Sequence, residues 1–158
     1  MYTLSKVLVR LKVKIICKQE NYNLYKEMLE KAGFTISIDA DITFKEDDFI
    51  KDTFIGLIDS KYEVIKFQEI IYIESFGHDI VCHTVKKEYK IKEKLYEIEN
   101  ILYDKDFIRV NKSQIISKAY IKEIKPTFNS KMILVLRNGD VIYVTRNYYQ
   151  EFKKFIGM

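Results

Sequence analysis

MILVLRNGDVIYVT, residues 132–145, consists of two apolar runs on either side of a polar centre. Asn138-Gly139 is a strong short-range hairpin signal, because a type I′ turn needs φ > 0 at both central positions and Asn and Gly adopt it most readily. The Val, Ile and Tyr residues around it are the β-branched and aromatic types that fit a pleated surface. The stretch predicts an antiparallel hairpin, and with it a sheet in the last third of the chain.

Working upstream, FIRVNKSQIISKAYIKEI (107–124) reads as strands at 107–110, 114–117 and 120–124. Between them lies a polar, basic knot of Asn111, Lys112, Ser113 and Gln114, with Ser117 just beyond. Two readings fit it. Asn111, Ser113 and Gln114 suit a tight turn that satisfies its own backbone groups. The same loop would hold Lys112 and neighbouring amides outward for phosphates and base edges. Both hold together if the loop is made rigid by its own hydrogen bonds.

Further upstream, short strands follow one another at 54–58, 62–67, 70–75, 79–85 and 88–91, with Asp59-Ser60-Lys61 and Lys86-Lys87 as hairpin connections, the meander signature of an antiparallel sheet. KEKLYEIENILY (92–103) is helical, since Ile91, Leu95, Ile98 and Leu102 keep a helical stripe. Downstream, RNYYQEFKKFIGM closes the chain as a short helix, with Asn147 placed to cap alongside Gln150 and with Tyr148, Phe152 and Phe155 on one face.

The first fifty residues have a different pattern. KVKIIC (12–17) reads as a strand. Asn21 is placed to cap a helix with Tyr25, Met28, Leu29 and Ala32 on one face and Gly33 at the C′ position, and FTISIDADITF (34–44) alternates strictly. This is β-α-β. KEDDFIKD (45–52) is the densest acidic stretch and the predicted boundary, giving a small module over residues 1–52 and a mainly β domain with one or two short helices over residues 53–158. The module opens like a phospho-receiver, but its first strand ends Cys17-Lys18-Gln19, with no carboxylate pair for Mg²⁺. It is also too short for a doubly wound sheet. A dimerisation or sensing role is the expectation.

The charge distribution points to a partner. Residues 1–52 hold 9 Lys+Arg and 9 Asp+Glu, residues 53–104 hold 7 and 10, and residues 105–158 hold 11 and 4, so the last third is net +7. A basic region of this kind is the electrostatic footprint of a polyanion-binding surface. Catalysis has little support: G-x-S-x-G, a Gly-rich phosphate loop and H-E-x-x-H are all missing from the sequence. His78 and His83 are five positions apart across a predicted strand, hence on opposite faces, so one strand cannot build a metal site from them. No cofactor or metal is predicted. Cys17 and Cys82 lack C-x-x-C spacing and read as free thiols in a reducing cytosol. Lys6, Arg10, Lys12 and Lys14 interrupt the apolar N-terminal run, which argues against a signal peptide or membrane span and places the protein in the cytoplasm.

IIYIES (70–75), FIRVNKSQIISKAYIKEI and VLRNGDVIYVTRNYYQEF together resemble the LytTR DNA-binding domain of bacterial transcriptional regulators. That family's pattern has an I-x-Y-I-E-s strand, an F-x-R-v-H-R-S-x-x-v-N segment and a final n-G-x-x-l-x-v-S-R-x-y hairpin. The three pieces occur in order and cover about residues 53–156. The resemblance implies an elongated, antiparallel β fold that binds double-stranded DNA at direct repeats, pushes loops into successive major grooves and uses no recognition helix. Carried over by position, it implies DNA-binding roles for His78, Asn111, Lys112, Ser113, Arg146 and Asn147. Arg109, Lys118, Lys122, Arg137 and Lys153 are the phosphate-contact candidates. This chain departs from the pattern at Asn111-Lys112, where the family has His then Arg or Asn, and at Ser117, where it has Asn. Lys is a point donor without the bidentate fork of Arg.

These readings predict a sequence-specific transcriptional regulator that is not an enzyme and pairs as a homodimer on repeated half-sites. The alternative is a protein-interaction or ligand-sensing module that keeps the scaffold without DNA binding. Glu74 has no evident place at a DNA surface and reads as structural, and Tyr72 and Tyr143 read as core.

Overall fold

The computed structural model describes residues 11–46 and 51–158. The N-terminal run at 1–10 and the middle of the acidic boundary, 47–50, lie outside them. Contacts divide the chain into two units, Met1–Lys51 and Asp52–Met158.

The first unit holds β1 (Lys12–Ile16), α1 (Gln19–Lys31), β2 (Thr35–Ile36) and β3 (Ile42–Lys45), in a parallel sheet ordered β2-β1-β3. The β-α-β expected from the sequence is β1-α1-β2, but the stretch read as one strand over 34–44 is two. Between them the chain turns at 38–39, where the Ser37 hydroxyl donates to Asp39 and Lys12 pairs with Asp39 at 3.4 Å. The turn carries the chain from one edge of β1 to the other, so β2 and β3 flank it.

Asn21 does not cap α1. The helix starts at Gln19, and Asn21 Nδ2 donates to Glu46 Oε1 at 2.6 Å. Glu46 also accepts from the Lys18 amide at 2.8 Å and from the Tyr25 hydroxyl at 3.2 Å. These donors, the Lys18 amide foremost, hold its carboxyl below the usual carboxylate range. The carboxylate near the end of β1 is thus enclosed by local donors. Gly33 stands at C′ with φ 98°, as its position after the helix predicts.

The second unit contains β4 (Thr53–Ile58), β5 (Lys61–Lys66), β6 (Ile70–Phe76), β7 (Asp79–Thr84), β8 (Glu88–Ile91), α2 (Leu95–Leu102), β9 (Phe107–Arg109), β10 (Gln114–Ser117), β11 (Ile121–Thr127), β12 (Lys131–Leu136), β13 (Val141–Val144) and α3 (Tyr149–Ile156). Seven strands form one sheet ordered β5-β4-β8-β7-β6-β10-β9, and three more form a second, β11-β12-β13. All their pairings are antiparallel.

β6 and β10 are buried on both sides, which is why IIYI and QIIS lack polar alternation. Ile115 packs in a cluster with Phe54, Ile73, Ile98 and Leu102, while the adjacent Ile116 packs in another with Leu134, Ile142, Val144 and Phe152. Consecutive strand residues face opposite sides. One face of the large sheet is therefore covered by α2, and the other by the three-stranded sheet and α3. A register shift between Ile70 and Tyr72 lets Ile70 and Ile73 enter the first cluster while Ile71 and Tyr72 enter the second.

Turn chemistry differs from the sequence expectation at one point. At the 132–145 hairpin only Gly139 has positive φ, 90°. The Gly139 amide donates to the Leu136 carbonyl and the Leu136 amide to the Asp140 carbonyl, so the loop has three residues, Arg137 to Gly139. This is a type I turn with a left-handed glycine bulge, not type I′. The Asn138 side chain selects it: Oδ1 accepts from the Asp140 amide at 3.1 Å and Nδ2 donates to Asp140 Oδ2 at 2.8 Å. The I′ signature falls instead at Asp59-Ser60, with φ 46° and 62° between the paired Ile58 and Lys61.

Gly56 is required by packing. A Cβ there would lie 2.5 Å from Ile65 Cδ1 and 2.7 Å from Tyr89 Cβ, and all three sit inside the sheet. Gly56→Ala is expected to lower the stability of the second unit by about 1–3 kcal/mol through overpacking, read from the urea midpoint at unchanged slope.

Candidate nucleic-acid interface

The reading segments proposed from the sequence lie in three connections, which hydrogen bonds bring to one end of the large sheet. The first is the β6–β7 tip, Gly77-His78, a two-residue loop between the paired Phe76 and Asp79, with Gly77 at φ 62°. The second is the β9–β10 knot. Because β6 and β10 pair antiparallel with Glu74 opposite Gln114, the tip and the knot fall at the same end. The Ser75 amide donates to the Ser113 carbonyl at 2.9 Å. The third is the segment after β13, where the Thr145 amide donates to the Val110 carbonyl at 3.0 Å, one residue before Arg146.

The knot is both turn and platform. Asn111 Nδ2 donates to Gln114 Oε1 at 2.8 Å and to the Tyr143 carbonyl at 2.9 Å, and Oδ1 accepts from the Ser113 amide at 2.9 Å. Both amide hydrogens are thereby committed. Asn111, expected both in the turn and at the DNA, locks the loop to β13. Arg109, expected on a phosphate, is turned inward. Its guanidinium donates to the carbonyls of Asn111 and Lys112 and pairs with Glu99 at 3.1 Å. Burial pushes the Glu99 carboxyl up, and Arg109 opposes that shift. Lys112, Ser113, His78, Arg146 and Asn147 are all exposed. Asn147 does not cap α3. It lies inside a 3₁₀ turn, Arg146–Tyr148, and α3 begins at Tyr149.

The remaining basic candidates lie away from the knot. Lys118 follows the far end of β10, about 13 Å from Gln114 at the usual rise per residue, and its ammonium donates to the Phe155 carbonyl at 3.1 Å. Arg137 Nε donates to the Ala119 carbonyl at 3.1 Å, Lys153 lies over the Tyr149 ring at 5.6 Å, and Lys122 is exposed.

Behind the knot is a polar cluster. His83 is 8% exposed, with Nε2 at 2.8 Å from Glu74 Oε1 and Nδ1 at 3.0 Å from Glu88 Oε1. Its ring stacks on Tyr72 at 4.0 Å, and the Tyr72 hydroxyl donates to Asp140 Oδ2 at 3.1 Å. Burial, that hydrogen bond and the negative charge of Glu74, Asp140 and Glu88 all push the Tyr72 phenol up. Glu74 Oε2 accepts from Gln114 Nε2 at 3.0 Å. Glu74 is therefore structural, as expected, and Tyr72 is core. Tyr143 is not core: it is 58% exposed, since the inward-facing positions of β13 are Ile142 and Val144. Phe76, 74% exposed beside the Gly77-His78 tip, was not singled out from the sequence. Its place at the end of a strand that is otherwise buried was the available signal.

The two cysteines are free. Burial, with Glu46 adding to it, pushes the Cys17 thiol up to about 11, and burial pushes Cys82 up to about 12. Among the described residues no group of His, Cys, Asp and Glu could hold a metal, and no helix is long and apolar enough to cross a membrane.

The second unit is an antiparallel β domain whose connections at 77–78, 111–113 and 145–147 gather at one end of its large sheet. The model of the LytTr DNA-binding domain family matches residues 60–157. The sensory transduction protein LytT of Bacillus subtilis is 37% identical over 93 residues, which are 59% of this chain and 39% of that protein. The transcriptional regulatory protein LytR of Staphylococcus aureus is 35% identical over 101 residues, 64% of this chain and 41% of that protein. The solved LytTr DNA-binding domain of a putative methyl-accepting/DNA response regulator from Bacillus cereus superposes with a TM-score of 0.66 at 25% identity, covering 69% of this chain and 100% of that one. The chain belongs to the LytTr DNA-binding domain family. Its match spans about two fifths of the length of the two curated regulators.

Proposed function

We propose that this protein is a DNA-binding transcriptional regulator that reads direct-repeat sites by inserting its gathered loops into successive major grooves. The observation that carries this reading is the hydrogen-bonded convergence of the Gly77-His78 tip, the 111–113 knot and the 145–147 segment at one end of the sheet. Two of the three segments belong to the net +7 third of the chain. Lys112 and Arg146 are the principal cationic readers, His78, Ser113 and Asn147 supply further hydrogen-bonding groups, and Asn111 and Arg109 hold the knot in shape. Lys122, Lys118, Arg137 and Lys153, which lie away from the knot, anchor phosphates at a distance from the readers. Two copies fill two half-sites in the cytoplasm, with the near-neutral first unit as the dimer contact. No catalytic role is assigned.

The test is selection from a random DNA pool with the full chain, repeated with Lys112→Ala and Arg146→Ala. Wild type should enrich a direct-repeat motif, and each variant should bind it about tenfold or more weakly, since a good base contact contributes about 1–3 kcal/mol. The log-log dependence of affinity on salt should be steep, with a slope of about −0.9 per phosphate neutralised. If no motif is enriched and the salt slope is near zero, the domain is an interaction or sensing module on the same scaffold.

A further inference from the structure

The hydrogen bonds behind the knot run in one direction. Glu74 as a carboxylate only accepts, so the Gln114 amide must turn its Nε2 hydrogens toward it and its Oε1 toward Asn111. Asn111 must then point Nδ2 at Gln114 and the Tyr143 carbonyl, which leaves Oδ1 for the Ser113 amide. At the other end, both ring nitrogens of His83 face carboxylate oxygens, at 2.8 Å on Glu74 and 3.0 Å on Glu88. A neutral imidazole has one donor and one bare nitrogen, so only the imidazolium donates to both. The titratable groups around that ring are Glu74 and Tyr72 from β6, Glu88 from β8, and Asp140, which reaches it through Tyr72. The cluster thus sets three carboxylates, Glu74, Glu88 and Asp140, around one imidazole and one phenol.

We propose that His83 and Glu74 are positioning residues for DNA reading: an imidazolium–carboxylate pair that fixes the donor–acceptor direction of Gln114 and Asn111 and thereby the conformation of residues 111–113. Neither touches DNA. The pair acts through two further side chains, Gln114 and Asn111, so its effect appears in the loop. The inference rests on the DNA-binding reading for its functional consequence, but loop positioning is measurable without DNA.

The test uses the full chain with His83→Phe, which keeps a flat ring against Tyr72 and removes both donors, and with Glu74→Gln, which keeps the shape and removes the charge. In DNA-free wild type, two ring N–H protons should be observed on His83 by ¹⁵N-edited NMR. In both variants the Ser113 amide should exchange with solvent about tenfold faster, as expected for loss of a charge-assisted link. Affinity for the enriched site should fall about tenfold, while affinity for unrelated DNA stays near wild type and the thermal midpoint falls by only the few degrees that the lost link accounts for. A purely structural role would weaken both kinds of binding alike. If His83 shows a bare ring nitrogen at neutral pH, or if a folded variant leaves Ser113 exchange and site affinity unchanged, the positioning role is wrong. If the variants loosen Ser113 but wild type binds no DNA, the positioning role stands and the regulator reading fails.

Discussion

Asn111→Asp is expected to weaken binding to the enriched site by about a hundredfold while leaving the rest of the domain folded. The substitution is isosteric, so packing changes little. It replaces Nδ2, which donates to Gln114 Oε1 and to the Tyr143 carbonyl, by an oxygen facing two acceptors. Gln114 cannot compensate by turning its amide over, because its oxygen would then face Glu74. Two hydrogen bonds are lost, and acceptors are left facing acceptors, which together cost about 2–3 kcal/mol. That loss loosens the tie between the knot and β13, and with it the relation of Lys112 to Arg146. Added negative charge beside phosphates acts in the same direction. Fluorescence anisotropy on specific and unrelated duplexes separates the two effects, since charge alone lowers both affinities and loosening lowers the specific one. Equal affinity of Asn111→Asp and wild type for the specific duplex would mean that the knot needs no lock.

Phe152→Ala should produce the largest loss of stability. Phe152 is fully buried where α3 meets the three-stranded sheet, among Leu134, Ile142 and Val144. Truncating such a ring costs about 3–5 kcal/mol, because the cavity collapses only partly. For a domain of this size that lowers the thermal midpoint by roughly 15 °C or more. Binding should weaken as well, because α3 follows directly on the Arg146–Tyr148 turn. Phe128→Ser is the contrast. Phe128 is 92% exposed at the β11–β12 turn, so the change should stay within about 0.5 kcal/mol.

The elements were legible where a pattern repeats locally. Alternation in KVKIIC, the continuous apolar run at 70–73 and the stripe of Leu95, Ile98 and Leu102 each report burial through spacing alone. What escaped the sequence depends on residues far apart in the chain. Asn111 was expected both to satisfy the turn and to meet DNA, and its partners, the Tyr143 carbonyl and Gln114, were not legible because they are set by the approach of β13 to the knot. Arg109 looked like a phosphate contact because nothing near it in sequence announces Glu99 on α2. Glu74 stands forty positions before Gln114, and no local rule couples them. The turn at Asn138 was misjudged for a different reason: its side chain hydrogen-bonds Asp140 and stabilises a three-residue loop that competes with the two-residue one. The exposure of Lys112 and Arg146 was legible because it follows from a polar residue beside a turn, and the structure adds that their loops are neighbours.

Titrating the ¹⁵N-labelled full chain with the enriched duplex tests the central claim most directly. The largest amide shifts should fall on residues 77–78, 111–113 and 145–147 together, at a common midpoint. Shifts confined to β4 and β5 or to the first unit, with those three segments unmoved, would contradict a loop-reading interface at this end of the sheet.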